Sequence, residues 1–439
     1  MGDSPPSLHR PPPPSSPAAP PPYSPSGHHG RDVSLKIQTP MAVNKEEGNS
    51  QMIRGRKLKC RYTNHGRSRP YNHRICKGGK KSSSMNIESL PDELLFDILL
   101  HLPPRDIYDS AVFVCKKWRS VIRTRKFTCE HLRHSPPGLV IQSVNKREQT
   151  SFLTTRRGRI EITKFAHNDY KCLLWTSCNG LLLECDKEND YASYIANPST
   201  SQRSPLPPKY YSGMAYAAAS TTYKVVNWYH EYDNPEDRGC VILTVGVDKS
   251  WRLLHTQHLS LATRIIFNIR PLTTEGFVHW ATTKSAHVLS LNVETEVIKE
   301  ILVPKGYGEK LKYFLSTGTS LTFLTNIKEF SWEVWELSQE TGKWTKMPSI
   351  DLEPQNFRSE YSKLIRNRSL MPPWGSNVTV KPVGWLSCRE ALVLHAFPTR
   401  LCIVYNVRTR GIDFFELNHD FDLYAFVVHR DSLVDFREC

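Results

Sequence analysis

Gly276-Phe277-Val278-His279-Trp280, Val288-Leu289-Ser290-Leu291-Asn292 and Leu302-Val303-Pro304 make up one unit of the pattern that decides the fold. A short apolar strand runs through a polar turn into a second strand that ends in Asn, Asp or Ser, and a Leu-Pro or a Trp closes the unit. Upstream the unit recurs in Asn179-Gly180-Leu181-Leu182-Leu183 with Tyr194-Ile195-Ala196-Asn197 and Leu206-Pro207, and again in Val241–Val245 with Asp248 and Trp251. Downstream it recurs in Leu321–Leu324 with Val334–Ser338 and Trp344, then in Ala391–Leu394 with Ile403–Asn406 and Phe414. Successive turn positions 197, 248, 292 and 338 are 51, 44 and 46 residues apart, and the next interval, to 406, is 68. A period of about 40–50 residues with four short strands is the mark of a β-propeller, whose blades bury their faces only by stacking around a ring. The long interval then holds one blade plus an insertion within 352–380. With 139–166 as a further blade and 423–436 closing the ring, the reading is an all-β domain over 138–436 with about six blades.

N-terminal to this domain the pattern is helical. Leu94, Leu95, Ile98, Leu99 and Leu102 share one broad helix face. Ser89 is the expected N-cap, with Asp92 three residues on and Pro91 in the first turn, where its missing donor costs little. Pro103-Pro104 stops this helix, and Asp106 is the expected cap of a second, short helix through Ile107 and Ala111. A third carries Val114, Trp118, Val121 and Ile122 opposite Lys116, Lys117, Arg119 and Arg123. A module of this size, residues 86–132, cannot easily bury three apolar stripes by itself, so part of that surface is left for a partner or for the rest of the chain.

The formal net charge of +15 is unevenly placed. Residues 1–84 hold 15 Lys/Arg against 4 Asp/Glu, together with 13 of the 31 prolines and no Trp or Phe, so the basic character belongs mainly to a tail. Such a segment cannot bury enough apolar surface to offset its ordering, and residues 1–85 are expected to be disordered. Arg54 to Lys81 carries 11 Lys/Arg and no acid, which suits an importin groove, a phosphate backbone or a plain solvated linker. Cys60, His65, His73 and Cys76 lie in the same stretch. Their separations are loose except for the last, and bystander residues are the preferred reading over a zinc site. No apolar run approaches a membrane span, the start lacks a signal core, and Pro6 stands where a myristoylation signal needs Ser or Thr. The 11 cysteines are dispersed and odd in number, which favours free thiols in a reducing compartment. A location in the nucleus, the cytoplasm or both is expected.

Leu90-Pro91-Asp92-Glu93-Leu94-Leu95, Ile98-Leu99-Leu100-His101-Leu102-Pro103 and Val114-Cys115-Lys116-Lys117-Trp118-Arg119 together resemble an F-box. The resemblance implies a three-helix hook that binds a Skp-type adaptor and, through it, a cullin. Leu90, Pro91, Leu94, Ile98, Leu99, Leu102 and Pro103 would then contribute the adaptor face, while Val114, Cys115 and Trp118 match the second stretch and partly pack the module. The β region is similar to the plant F-box-associated (kelch-like) domain. It shares Ser177-Cys178-Asn179-Gly180-Leu181-Leu182-Leu183, Asn197-Pro198-Ser199-Thr200, Tyr223-Lys224-Val225-Val226, Gly276–Trp280 and Glu333-Val334-Trp335 in order. Relatives often carry Gly-Phe-Gly-Tyr where this chain has Ala215–Ala219. The implied function is the substrate receptor of an SCF-type ubiquitin ligase acting on an unidentified protein substrate, with 230–239 and 352–380 as the loops expected to grip it.

No catalytic or cofactor motif competes with this reading. His230-Glu231 lacks the second His of a zinc-protease helix, since Asn234 stands in its place. Lys77–Lys81 and Thr341–Trp344 fail as phosphate loops, and no Gly-x-Ser-x-Gly elbow is present. A non-enzymatic receptor without cofactor or metal is therefore expected. The alternative reading, from the basic tail, is a nuclear scaffold or nucleic-acid-associated protein whose F-box serves a non-degradative assembly.

Overall fold

Asn197, Asn292 and Asn406, three of the repeating turn residues, each end the third strand of a four-stranded blade. Each side-chain carbonyl turns back to accept a backbone N–H two residues on, at 2.9, 2.9 and 3.0 Å. Such an Asx turn satisfies a donor that the ladder has released and starts the outer strand. In this computed structural model the described residues are 90–435 apart from 144–149, 157, 166–171, 187–188, 190–191, 208–212, 232–233, 285, 308–309, 354–356, 367–377 and 418–423. The Pro-rich and basic segment, Ser89 and the Cys60/His65/His73/Cys76 group lie outside them.

Six antiparallel four-stranded sheets make up the β domain. Blade I holds β1 (Gly138–Ser143), β2 (Ser151–Arg156), β3 (Arg159–Lys164) and, as its innermost strand, β24 (Tyr424–His429). Blade II is β4 (Leu173–Cys178), β5 (Leu181–Asp186), β6 (Ala192–Asn197) and β7 (Gln202–Leu206). Blade III is β8 (Gly213–Ala217), β9 (Thr222–Glu231), β10 (Asn234–Thr244) and β11 (Arg252–Leu253). Blade IV is β12 (Leu272–Thr274), β13 (Phe277–Trp280), β14 (His287–Asn292) and β15 (Val297–Leu302). Blade V is β16 (Lys312–Ser316), β17 (Leu321–Lys328), β18 (Ser331–Leu337) and β19 (Trp344–Asp351). Blade VI is β20 (Thr379–Leu386), β21 (Ala391–Phe397), β22 (Leu401–Asn406) and β23 (Ile412–Glu416).

The inner strands β24, β4, β8, β12, β16 and β20 touch in that order, and β20 meets β24 again, so the ring is closed. The closure is made of hydrogen bonds: β1 pairs with β24 from Gly138↔His429 to Ser143↔Tyr424. Blade III is complete although the family's Gly-rich signature is absent, because Gly213, Ala215 and Ala217 keep β8 small where it packs on blade IV. The domain has no single core. One apolar cluster fills each of the six blade-to-blade contacts, from Trp332 against Trp385 between blades V and VI to Val140 against Leu182 between I and II. Second strands such as β5 and β21 are buried nearly throughout and read as continuous apolar runs, whereas outer strands such as β3 and β7 are largely exposed.

The helical module comprises α1 (Asp92–Leu100), α2 (Pro104–Asp109), a 3-10 turn (Ala111–Phe113), α3 (Lys116–Ile122) and α4 (Arg125–His134). Two expected caps are corrected. Pro91 occupies the N-cap of α1, which puts Asp92 in the first helical position, and Pro103 caps α2 with Asp106 inside its first turn. A proline at the cap gives up no hydrogen bond and holds the chain extended just before the helix. The fourth helix, α4, is absent from the sequence reading. Its signal was Thr124, whose hydroxyl accepts the Phe127 N–H at 3.2 Å, followed by Phe127 and His131 on one face. None of the eight cysteines among the described residues is in a disulfide. No described helix is long and apolar enough to cross a membrane.

Two expected loops are also corrected. Within 230–239, all but 232–233 belong to β9 and β10, a long hairpin. The insertion at 352–380 contains α6 (Phe357–Ile365), after the short α5 (Leu261–Arg264) between blades III and IV. Phe357 of α6 is buried against Phe330 and stacks on Phe414, so this part of the insertion is docked on blades V and VI.

Candidate interaction surface

Residues of α1 divide between two surfaces at helical spacing. Leu95 and Leu99 are fully buried with Ile107, Ala111, Ile122 and Phe127 in the core of the helical module. Leu94 and Ile98, one turn apart, are 52 % and 46 % exposed on the outer side, next to exposed Pro91. Of the residues expected on the adaptor face, Leu99 thus faces inward and supports the surface from behind. Leu102 and Trp118 also pack on this core, half-buried, as do Leu90, Pro103 and Cys115 in degree of exposure. Val114 is open to solvent at 52 %, and so are two residues the sequence reading did not select: Phe113 at 69 % and Tyr108 at 42 %. Five of the twelve large apolar side chains exposed among the described residues therefore fall within 94–114. So many in a short segment is a concentration of exposed apolar side chains, where scattered ones would need no explanation.

Lys117, assigned from sequence to the polar face of the third helix, holds the two motif stretches together. Its Nζ donates to the Leu90 carbonyl and pairs with Asp92 at 3.0 Å, which fixes the start of α1 against α3. Arg119 lies over the Phe113 ring, 6.0 Å from its centroid, and its Nε donates to the Val112 carbonyl. Behind the surface, Phe96 and Phe127 meet edge-to-face at 5.3 Å. His131 of α4 is hydrogen-bonded through Nε2 to the Leu102 carbonyl at 2.9 Å, and burial holds its imidazole below the usual range.

The module is clasped to the ring by the residues that follow β24. Leu433 packs on the helical core, and Val434 joins the cluster between blades II and III together with Leu132 of α4. Blade II grips this segment with its motif residues. Buried Asn197 donates through Nδ2 to the carbonyls of Ser432 (3.1 Å) and Val434 (2.8 Å), and Ser432 donates to the Asn179 carbonyl at 3.0 Å. Asn179 and Gly180 have φ of 49° and 84° and form the two-residue turn between β4 and β5, the type I′ geometry that Asn-Gly favours. A Cβ on Gly180 would lie 2.0 Å from the Ser432 hydroxyl, so the clasp also requires glycine there. Ser177 and His429 Nδ1 are 2.8 Å apart alongside.

The helical module and the ring each match a known domain family. The F-box domain family matches residues 87–130, and the F-box associated beta propeller domain matches 133–366, more than half of the chain. The chain belongs to the F-box proteins with an F-box-associated β-propeller. In this F-box protein the ring continues past the matched region, through blade VI and the closing strand β24. Its relatives include F-box protein At5g49610 of Arabidopsis thaliana, 23% identical over 60% of this chain and 79% of the relative. F-box/kelch-repeat protein At3g61590 of the same plant is 28% identical over 34% of this chain and 37% of its own length. Among solved structures, one from a nidogen/laminin complex aligns with 67% of this chain and 99% of its own at 11% identity, with a TM-score of 0.40.

Proposed function

We propose that this F-box protein is the substrate-recognition subunit of an SCF-type E3 ubiquitin ligase. Its F-box docks a Skp-type adaptor, and through it a cullin, while the propeller binds a protein substrate. The observation that carries the reading is the exposed apolar group Leu94, Ile98, Phe113 and Val114 on a module that matches the F-box family. Burying such a group on a partner releases water from apolar surface, and hot-spot side chains of this kind carry most of an interface's energy. The receptor performs no bond chemistry. It raises the local concentration of substrate lysines near a ubiquitin-charged enzyme on the same scaffold.

Topology favours one face for the substrate. The chain enters β1 from α4 at the ring face where β4, β12, β16 and β24 end, and the hairpin turns on that face, such as 179–180 and 275–276, are tight. The connections from β11 to β12, β15 to β16 and β19 to β20 are long and leave from the opposite face, away from the F-box, which supports that face as the substrate side.

The test is binding of the full chain to a recombinant plant Skp adaptor by surface plasmon resonance. The Leu94→Ala, Ile98→Ala double variant is expected to lose at least about tenfold in affinity with its melting temperature unchanged. Equal adaptor affinity in variant and wild type would overturn the docking surface.

A further inference from the structure

The middle of the ring is lined by five inner strands, because β4 and β12 touch directly and β8 supplies no lining residue. The cavity they enclose has an empty volume of about 450 Å³, part of it continuous with solvent. Into it reaches Arg270, the second residue before β12. Its Nε donates to the Trp175 carbonyl at 2.7 Å and its Nη2 to the Leu174 carbonyl at 2.8 Å. Both acceptors lie where the β4–β5 pairing slips between Leu174 and Thr176, a bulge that interrupts the ladder.

Both acceptors are neutral. Among the described residues no carboxylate pairs with Arg270, and no acidic side chain lines the cavity. Burial lowers the guanidinium only to about 10, so it remains charged at neutral pH. A half-buried charge with no carboxylate beside it is costly unless a counter-ion or water meets it. Two of its five N–H groups are used, and the others remain for a planar acceptor. The wall beside it is made of hydroxyls. Thr176 and Thr273 face each other with Oγ1 atoms 2.9 Å apart, and one of the two protons in such a pair is free to turn to a ligand. Ser316 lines the same wall and donates to the Thr273 carbonyl.

We infer that the central cavity binds one small oxyanion, a phosphate or carboxylate group, on Arg270 and the Thr176–Thr273 hydroxyls. The anion supplies a counter-charge where β4 of blade II and β12 of blade IV meet. The guanidinium fork matches two oxygens of either group, so the chemistry is shared and the source is left to the experiment.

Calorimetric titration of the full chain with inorganic phosphate and, separately, with acetate, at ionic strength held constant with chloride, tests this. One saturable site is expected for at least one anion, and the stronger of the two identifies the group. Arg270→Gln should weaken binding at least tenfold. The Thr176→Val, Thr273→Val double variant, which keeps the shape of the wall and removes both hydroxyls, should weaken it several-fold. Absence of saturable binding by the wild type overturns the site, as does wild-type affinity in a folded Arg270→Gln chain. If Arg270→Gln does not fold, the double variant decides, and unchanged affinity there means that Arg270 only staples β4 to β12.

Discussion

The F-box and the propeller treat apolar surface in opposite ways. Each blade buries both faces between neighbours, and the ring closes on itself, so six apolar clusters leave no blade with a free end. The F-box has a single core of six fully or almost fully buried apolar residues, and it exposes Leu94, Ile98, Tyr108, Phe113 and Val114. Even that core borrows Leu433 from the far end of the chain. The ring buries its apolar faces within itself, whereas the small helical module leaves large apolar side chains exposed. The clasp after β24 joins the two and fixes the helical module against the ring.

Breaking the clasp should give the largest effect. Gly180→Val places a branched side chain at positive φ and against Ser432, and it is expected to cost roughly 2–5 kcal/mol in chemical denaturation. Limited proteolysis of this variant should cut between α4 and β1, where the wild type resists. If stability is unchanged, the clasp is not a structural joint.

The contrast within α1 comes next. Leu99→Ala should destabilise the helical module by about 2–5 kcal/mol, whereas Leu94→Ala should stay within about 0.5 kcal/mol. Similar melting shifts for the two would mean that inner and outer faces are not distinct.

Acid should act on the ring through buried neutral histidines. Burial lowers His279 to about 3 and His395 to about 4, and each makes a hydrogen bond in place, to Thr274 Oγ1 and the Thr399 carbonyl. In the unfolded chain both return to about 6.5, so the unfolded state takes up protons first as pH falls. Their stabilisation is therefore complete above about pH 6.5 and is lost progressively toward pH 4, on the order of 1–2 kcal/mol per residue between pH 7 and pH 5. His395→Gln should flatten the pH dependence of denaturation over that range, and an unchanged slope would remove this histidine as a cause. The smallest effect belongs to the repeating turns: Asn406→Ala gives up two accepted backbone donors, from Arg408 and Thr409, and should cost about 1 kcal/mol.

Much of the blade count and order was legible because several units end their third strand with a residue that caps a turn, as Asn197, Asn292 and Asn406 do. The F-box stretches were legible as apolar residues at helical spacing between prolines. Other features were hidden for definite reasons. Lys117 sits among basic neighbours, so nothing local tells that it alone reaches back to Leu90 and Asp92. α4 is short and mostly charged, with a buried face of little more than Phe127 and His131. Arg270 precedes a proline in what reads as an ordinary connection, and its isolation depends on which carbonyls meet it from blade II.

Periodicity, turn chemistry and the F-box stretches are local, and the sequence by itself determined them: a helical hook, then a ring of about six blades. Which α1 residues face out, how 430–435 clasps the hook to blade II, and which carbonyls the Arg270 guanidinium meets were decided only in three dimensions. Those features depend on contacts between residues as far apart as Asn179 and Ser432, and a chain's linear pattern carries no signal for pairs that only ring closure brings together.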